Sequence, residues 1–521
     1  MTRTSGAIAT PHYLATQAGE RALGDGGTAV DACIAAAAVL AVVYPHMCGL
    51  GGDVQALLAG PDGSVRALNG SGAAARKADP TALASAHSSM PIHGVHPITV
   101  PGVVAAWGDL HGAGGRLPWP SLFREALAFA ENGVPVAAAL GRDLAALSPR
   151  LSLDAGMHRV FFNPDGQPLT TGMTLRQPAL AASLGSIAEG GARRMYEGAL
   201  AERLVVGLRR LGSALDLEDF ASHNSEWLSP LTGQFADLEV LTAPPSSQGY
   251  VLLQLLASVQ NLGFGAADPL GSNAAVLARL CFLTARGRDL KLGDPRHVVQ
   301  DVEQWLSDES VQELAKTAGD QLGPLTPASP QPRPDGDTVA IVAMDSDGSA
   351  VSLIQSIFHA FGSGILEPDT GIVCHNRGAA FTLAPGPARL VGGRRPPSTL
   401  TPALLRRGGR IEAALGAMGG KSQPQILLQL LLRLVAGTTP AEAVAMPRWV
   451  VGNFGAQDES VVLVEGAVHQ STRAVLSGVG LPLATGAERD DRAGHAQIVR
   501  RASSGDLEAA TDPRGDGRAP D

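Results

Sequence analysis

The residue with the clearest potential for chemistry is a threonine that directly follows a proline-rich segment. Residues 321–337, QLGPLTPASPQPRPDGD, contain five prolines in 17 residues and little that could be buried, which predicts an exposed, extended linker. Thr338 then begins an apolar β-strand pattern, TVAIVAMD. If the bond between Asp337 and Thr338 is cut, Thr338 carries a free α-amine that can activate its own hydroxyl for acyl transfer. Taken alone, the feature favours the simpler alternative, in which Thr338 is an ordinary β-branched strand residue.

A pair of adjacent glycines, Gly419 and Gly420, lies between a predicted strand and a predicted helix. Backbone N–H groups in such a turn can hold an oxyanion, although a Gly-Gly pair by itself usually marks only a turn. The other glycine-rich run, GLGG at 49–52, lacks the spacing of a dinucleotide-binding motif, so we interpret it as structural. His93 and His96 have an H-x-x-H spacing, but the glycine and proline around them prevent a helix, which argues against a metal site.

The composition excludes several classes of function. The chain has 521 residues, a net charge of −9 and no basic run, so it is a poor candidate for binding nucleic acid or an anionic membrane. Aromatic residues make up only 4%, which argues against stacking platforms for single-stranded nucleic acid. Four cysteines without a C-x-x-C pair predict buried free thiols in a reducing compartment; they are Cys33, Cys48, Cys281 and Cys374.

Two further observations bear on location. The longest apolar run, residues 32–45, is shorter than the roughly 18–20 residues that a membrane-spanning helix needs. The N-terminal segment lacks the apolar core of a secretory signal behind its basic residues. The sequence therefore predicts a soluble, cytoplasmic protein.

The elements that must position the candidate residues fall into two parts. Up to residue 337 the pattern is mainly helical, with a first helix capped by Thr10 and a capping box at Thr28 and Asp31 before an Ala-rich helix. A β-hairpin is predicted over residues 54–70. After the linker the pattern changes to strands at 338–345, 350–358 and 371–376, a hairpin over 401–418, a helix over 423–437 and two strands near 496–510. We therefore predict a large region, 1–337, and a small region, 338–521.

Seven motifs in this order resemble the γ-glutamyltranspeptidase family of N-terminal-nucleophile (Ntn) hydrolases, and the resemblance covers nearly the whole chain. The first two lie in the large region and the remaining five in the small region. They are GGTAVDACIAAAAVLAVVYPHMCGLGGD (26–53), VPGVVAAW (100–107), the segment DTVAIVAMDSDGSAVSLIQSIFHAFGSGILEPDTGIVCHNRGAAFTL (337–383), RRPPSTLTPAL (394–404), GAMGG (416–420), MPRW (446–449) and TDPRGDG (511–517).

The resemblance implies a fold, a processing step and a set of catalytic residues. The fold is an α+β, four-layer αββα sandwich, formed jointly by a large chain, 1–337, and a small chain, 338–521, after self-cleavage between Asp337 and Thr338. Thr338 matches the nucleophile, Ser356 a hydroxyl residue that assists it, and Gly419 and Gly420 the pair that forms the oxyanion hole. The resemblance implies no metal and no organic cofactor. Its partners are the two chains of one precursor and a small-molecule amide substrate, and it leaves a homodimer open.

Several positions depart from the pattern of γ-glutamyl enzymes. Ser71 stands where the family has an arginine for the substrate α-carboxylate. The family's three ligands for the α-amine are replaced by Phe358, Arg377 and Ala380, so a buried ammonium group would lack partners and a γ-glutamyl group should bind poorly. The pair Ser398 and Thr399, by contrast, matches hydroxyl residues of the carboxylate site.

The segments around residues 352–381 and 416–425 are most similar to a branch of the family that includes oxamate amidohydrolases. Arg377 could clamp a substrate carboxylate with its planar donors, or could equally form a structural ion pair. His359 could line the site or simply pack. Lys421 stands where that branch usually has aspartate.

We therefore predict an Ntn amidohydrolase that acts on a small, carboxylate-bearing, oxamate-like amide. The alternatives are a γ-glutamyltranspeptidase or glutathione hydrolase, an acylase for a β-lactam side chain, and a non-cleaving pseudoenzyme that serves as a binding protein. The last of these gains support from the lost substrate residues, whereas the intact nucleophile and glycine pair argue against it.

Overall fold

The computed structural model describes residues 6–265, 267–320, 325, 337–454 and 460–517. The strands in this part of the chain are β1 (Gly6–Ala9), β2 (Asp53–Ala59), β3 (Val65–Asn69), β4 (Val134–Pro135), β5 (Thr174–Leu175), β6 (Glu226–Leu228), β7 (Leu231–Phe235), β8 (Leu238–Thr242), β9 (Asp337–Asp345), β10 (Ala350–Phe358), β11 (Leu366–Glu367), β12 (Ile372–Val373), β13 (Ala403–Arg407), β14 (Arg410–Ala417), β15 (Trp449–Gly452), β16 (Val461–Val464), β17 (Leu483–Thr485), β18 (Ala496–Arg501) and β19 (Leu507–Thr511).

The α-helices are α1 (Tyr13–Gly24), α2 (Ala29–Val43), α3 (Pro80–Ala86), α4 (Val103–Gly114), α5 (Arg124–Asn132), α6 (Ala138–Leu151), α7 (Ala155–Phe161), α8 (Pro178–Gly190), α9 (Ala199–Arg210), α10 (Leu217–Ala221), α11 (Gly249–Asn261), α12 (Ala274–Lys291), α13 (Val302–Trp305), α14 (Asp308–Gly319), α15 (Gln423–Val435), α16 (Pro440–Ala445) and α17 (Gln470–Leu476). Short 3-10 helices cover Trp119–Phe123, Ala192–Met195, Arg377–Ala380, Gly420–Ser422, Ser477–Val479 and Asp491–Ala493.

Two six-stranded antiparallel sheets form the centre of the molecule. Their strand orders are β1-β9-β10-β2-β3-β6 and β19-β18-β14-β13-β8-β7. Side chains alternate along β9: Val339, Ile341 and Ala343 belong to the core beneath one helical layer, whereas Val342 and Met344 pack between the two sheets. The second sheet packs its other face against α11, α12 and α15. The architecture is therefore an α+β sandwich of four layers in the order αββα, as the family resemblance implies.

Both predicted regions contribute strands to both sheets. The large region supplies β1, β2, β3 and β6 to one sheet and β7 and β8 to the other, and the small region supplies the rest. Strand β9 pairs with β10 along most of its length and with β1 over residues 342–345, so the second half of the first strand in the small region has neighbours on both edges. Neither region can bury the faces of its strands without the other.

The Ala-rich helix and the hairpins form as predicted. All residues of α2 are buried, and its capping box is present: the Thr28 side chain accepts from the Asp31 N–H, while the Thr28 N–H donates to the Asp31 carboxylate at 2.8 Å. Strands β2 and β3 form the first predicted hairpin, and β13 and β14 form the second.

The first predicted helix is present, but its predicted N-cap is wrong. Residues 6–9 form strand β1, which pairs with β9, and α1 begins only at Tyr13. His12, not Thr10, is the N-cap, because its Nδ1 accepts from the Leu14 N–H at 3.2 Å. One other predicted element is shorter than expected: within 371–376, only Ile372–Val373 is a strand.

The four cysteines are buried free thiols, which confirms the prediction for their state. Burial raises the pKa of each thiol, so these sulfurs stay protonated and unreactive. None of the helices in the described part of the chain combines the length and apolar character needed to cross a membrane.

A buried ionic cluster attaches the C-terminal segment to the rest of the small region. The Asp512 carboxylate accepts from the guanidinium groups of Arg448 and Arg514, and Arg514 also donates to Glu465 at 2.5 and 2.6 Å. The charged groups of all four side chains are fully buried. Burial alone would raise the pKa of Asp512, but the two arginines outweigh it and lower the pKa to about 2.

This cluster generates a prediction about stability. Asp512→Asn leaves buried arginine charge uncompensated and is expected to lower the free energy of unfolding by about 3–5 kcal/mol, measured by urea denaturation. Because the folded-state pKa is depressed, the Asp512 contribution is complete above about pH 4 and is lost as the pH falls towards 2. Asp237→Asn removes an exposed partner of Arg407 and serves as the control, with no measurable change. Equal effects of the two substitutions would contradict the prediction.

Candidate active site

The hydroxyl groups of Thr338 and Ser356 meet at the start of β9. The two residues are cross-strand partners, and Thr338 Oγ1 donates to Ser356 Oγ at 3.1 Å. Ser356 Oγ donates in turn to the carbonyl oxygen of Asp337 at 2.7 Å and accepts from the Phe358 N–H at 2.8 Å. A serine hydroxyl has one donor and two acceptor sites, so all three are occupied. Ser356 therefore connects the Thr338 hydroxyl to the carbonyl of the Asp337–Thr338 bond.

A β-bulge supplies the third of these hydrogen bonds. The register between β9 and β10 shifts between Ser356 and Phe358, and Phe358 has a φ of 81°, a value that favours glycine. The GLGG run packs directly behind this point: a Cβ added at Gly52 would lie 2.4 Å from the carbonyl oxygen of Ser356. This close backbone approach agrees with the structural interpretation of that run.

The turn of Gly419 and Gly420 follows β14, as predicted, and leads into α15. Their φ angles are 140° and 51°, in the region that only glycine adopts readily. The turn is held by Gln248, whose Nε2 donates to the carbonyl oxygens of Gly420 at 3.0 Å and Thr399 at 2.7 Å. Gln248 Oε1 accepts from Arg288 Nη1 at 2.8 Å. The sequence analysis missed Gln248, because no local motif marks it.

Contacts between the two sheets show where this turn lies relative to Thr338. Ser352, opposite Val342 on β9, donates to the carbonyl oxygen of Leu415 on β14. One residue further along β14, a Cβ added at Gly416 would lie 2.9 Å from Ala340 Cβ. The end of β14 therefore lies over the start of β9. Because the glycine turn follows β14 and Thr338 is near the start of β9, both lie at the same end of the sandwich.

Arg377 forms a buried ion pair. Its Nε and Nη2 donate to the two carboxylate oxygens of Asp53 at 2.7 and 3.1 Å, and its Nη1 donates to Thr399 Oγ1 at 3.2 Å. The guanidinium carbon also lies 4.3 Å from the centroid of the Phe358 ring. Arg377 is fully buried. Of the two interpretations of Arg377, this geometry matches the structural ion pair, since the guanidinium already holds a carboxylate of the chain.

A cavity of about 400 Å³ opens beside the glycine turn. Seven residues that the sequence analysis names individually line it: Phe358, His359, Ala380, Ser398, Thr399, Gly420 and Lys421. Thr338 is only 2% exposed in the uncut chain and is connected to this wall through Ser356 and Phe358. Ser71 lies outside the cavity, where it is buried and accepts from Gln55 Nε2 at 3.0 Å.

His359 contributes a neutral imidazole to the cavity wall. The backbone N–H of His359 donates to Asn376 Oδ1 at 3.1 Å, and Asn376 Nδ2 lies 2.8 Å from His359 Nδ1 in the imidazole ring. Because an amide nitrogen can only donate, His359 Nδ1 accepts and the ring proton lies on Nε2. Burial, followed by the nearby charge of Arg377, lowers the pKa of His359 to about 3. The side chain therefore both lines the cavity and is held by a defined hydrogen bond.

The described residues contain no group of three or more histidine, cysteine, aspartate or glutamate side chains placed to hold a metal ion. His93 Nε2 lies 2.8 Å from Arg150 Nη1, and the ring of His96 packs beside His87.

The αββα sandwich is the architecture of Ntn hydrolases. The chain belongs to the γ-glutamyltranspeptidase family, because the family model described as Gamma-glutamyltranspeptidase matches residues 15–520.

Individual relatives span nearly the whole chain. It is 37% identical to the oxamate amidohydrolase proenzyme of Klebsiella pneumoniae, over 99% of this chain and 98% of that protein. It is 34% identical to a glutathione hydrolase-like proenzyme of Bacillus subtilis, over 98% of this chain and 97% of the relative. The crystal structure of a cephalosporin acylase from Bacillus halodurans matches with a TM-score of 0.88 at 31% identity, over 99% of this chain and 95% of that chain. The protein is accordingly an Ntn amidohydrolase of this family, which confirms the resemblance found in the sequence and favours an enzyme over a binding protein.

The environment of His359 generates a prediction that NMR can check. The imidazole is expected to remain neutral, with its proton on Nε2, from about pH 8 down to about pH 5, because its pKa is lowered to about 3. Nitrogen-15 chemical shifts of labelled histidine report both the charge and the tautomer, and His359→Gln assigns the signal. Asn376→Ala removes the donor to Nδ1 and should alter the tautomer signature. An imidazolium signal from His359 at pH 6 would contradict this assignment.

Proposed function

We propose that the chain is a precursor that cleaves its own Asp337–Thr338 bond and becomes an N-terminal-threonine amidohydrolase. One observation carries the proposal: Ser356 Oγ accepts from Thr338 Oγ1 at 3.1 Å while donating to the Asp337 carbonyl oxygen at 2.7 Å. A single hydroxyl thus contacts both the nucleophile and the oxygen on which negative charge develops during attack. The arrangement supports self-cleavage, because a preorganised donor already faces the oxygen that becomes negative.

The self-cleavage proceeds by an acyl shift followed by hydrolysis. Thr338 Oγ adds to the carbonyl carbon of Asp337, with its proton accepted by Ser356 as Ser356 donates to the carbonyl oxygen. The C–N bond then breaks, the nitrogen takes up a proton, and an ester joins Asp337 to Thr338 Oγ. Water hydrolyses the ester, which leaves a carboxylate on Asp337 and a free amine and hydroxyl on Thr338.

The new α-amine then serves as the base for catalysis. A terminal amine has a pKa near 8, so an appreciable fraction is unprotonated at neutral pH and can take the proton of Thr338 Oγ. Thr338 Oγ attacks the substrate amide carbon, and the N–H groups of Gly419 and Gly420 stabilise the oxyanion. The amine product leaves with the transferred proton, and water hydrolyses the acyl-enzyme.

The substrate class that we propose is a small amide that carries a carboxylate, as oxamate does. Two facts support it: a relative of 37% identity is named an oxamate amidohydrolase, and the charged side chains among the described residues of the cavity wall carry a net positive charge. In place of acceptors for the α-ammonium of a γ-glutamyl group, the wall has Phe358 and Ala380. An ammonium group buried there would lose hydration without gaining partners.

The first test is the intact mass of the purified protein. The wild type is expected to give two fragments that divide before Thr338, and Thr338→Ala is expected to remain a single chain, because it lacks the nucleophile. Ser356→Ala should slow cleavage by about 10²–10³-fold, the usual effect of losing one donor to a developing oxyanion.

Ser352→Ala is the matched control for Ser356→Ala. Ser352 is a buried serine on the same strand, and its hydroxyl contacts Leu415 and Ala403, so cleavage should proceed at the wild-type rate. A wild-type chain that stays uncut after prolonged incubation would refute the proposed mechanism.

A panel of amides tests the substrate class. Release of ammonia from oxamate, without turnover of γ-glutamyl-p-nitroanilide, is the expected result, because the cavity wall favours a carboxylate and has Phe358 and Ala380 at positions matched to ammonium ligands. The reverse pattern would assign the protein to γ-glutamyl hydrolysis and would refute the role given to these two residues. The Thr338→Ala chain serves as the blank.

A further inference from the structure

The wall of the active-site cavity carries a charged group that neither the reaction nor the oxyanion turn uses. Lys421 directly follows Gly420, and its Nζ lies 3.2 Å from Asp289 Oδ2. Asp289 also accepts from Arg288, whose Nε and Nη2 lie 2.9 and 2.8 Å from Asp289 Oδ1. Among the described residues that line the cavity, these two cations and one carboxylate are the charged groups at neutral pH. The wall therefore has one positive charge in excess.

The two cations of this wall differ in how firmly they are held. The Arg288 side chain is only 4% exposed, and it also donates to Gln248 Oε1 at 2.8 Å and to the carbonyl oxygen of Lys421 at 3.2 Å. The Lys421 side chain is 29% exposed. Its ammonium group is a compact charge with three donors, so it can bind more than one partner at once. Lys421 is thus the cation that an entering anion can approach.

The other described residues of the wall carry no formal charge. They include apolar side chains, such as Met90 and Leu292, and uncharged polar ones, such as Ser398 and Thr399. Arg377 is withdrawn beneath Phe358 in its ion pair with Asp53. An anion that enters the cavity therefore meets its favourable electrostatic partner at Lys421 and not at Arg377. Lys421 directly follows Gly420, and both residues line this cavity, so the anion is bound in the same cavity as the glycine turn.

We propose that Lys421 binds the free carboxylate of the substrate and so selects carboxylate-bearing amides over neutral ones. The proposal rests on the proposed function of the same site. Asp289 holds the ammonium group in position, and a substrate carboxylate joins it as a further anionic partner. The carboxylate balances the one excess positive charge of the described wall residues.

The test compares a charged and an uncharged form of one substrate. The probes are the carboxylate-bearing amide with the highest kcat/KM in the panel and its methyl ester, in which the same amide lacks the negative charge. Lys421→Met is expected to raise KM for the acid about 10–100-fold, the range for losing a hydrogen bond to a charged group, while kcat falls much less. The methyl ester should show an unchanged kcat/KM. Lys421→Arg, which keeps the charge, should restore KM to within a few-fold.

Lys291→Met is the matched control. Lys291 ends the same helix as Asp289, but its ammonium lies 5.8 Å from the Trp305 ring centroid, on another face. Its removal should leave KM for both substrates unchanged.

The outcomes separate this inference from the proposed function. If the wild type is not cleaved, or hydrolyses no amide, the proposed function fails and the inference fails with it. If the wild type and Lys421→Met are both cleaved and active but KM for the acid does not change, only the inference is overturned. If acid and ester lose activity equally, Lys421 acts on the oxyanion or on folding, which also overturns it.

Discussion

A single buried proton, the one on Ser356 Oγ, is the constraint on which the site depends. A hydroxyl can donate once, and here it donates to the Asp337 carbonyl oxygen, so Thr338 Oγ1 must be the donor in their mutual contact. The Phe358 N–H occupies the remaining acceptor position, and this requires a bulge with a φ of 81° at a phenylalanine. The strained backbone, the close approach of Gly52 and the register of β9 and β10 all serve to hold this one hydroxyl.

Patterns local in sequence predicted much of the fold. The capping box at Thr28, the two hairpins and the strands that begin at 338 and 350 each depend on neighbours within a few residues, and each is present. The four-residue strand β1 was not predicted, because its only strong signal is its pairing with β9, more than 300 residues away. The His12 cap depends on where that strand ends, so it was missed for the same reason.

The candidate site shows the same division. Spacing and resemblance identified residues that lie at one end of the sandwich or in its cavity: Thr338, Ser356, Gly420, Ser398, Thr399 and His359. They could not decide between the two roles of Arg377. That decision depends on Asp53, which is 324 residues away in the chain. Gln248 joins two loops through their carbonyl oxygens, so it has no sequence signature at either. Arg377 also shows why the ion pair disfavours the other role. A guanidinium that is already paired with a buried carboxylate gains little free energy by exchanging it for a substrate carboxylate.

The interleaving of the two regions in both sheets has a consequence for reversibility. In the precursor, all strands belong to one polymer, so the sheets assemble by an intramolecular reaction at a high effective concentration. If the bond before Thr338 is cut as proposed, the same sheets can re-form after denaturation only through a bimolecular encounter, which slows with dilution. The mature protein would then persist because it unfolds slowly, and not because it refolds readily. Synthesis as a single chain would be the only efficient opportunity to build the sandwich.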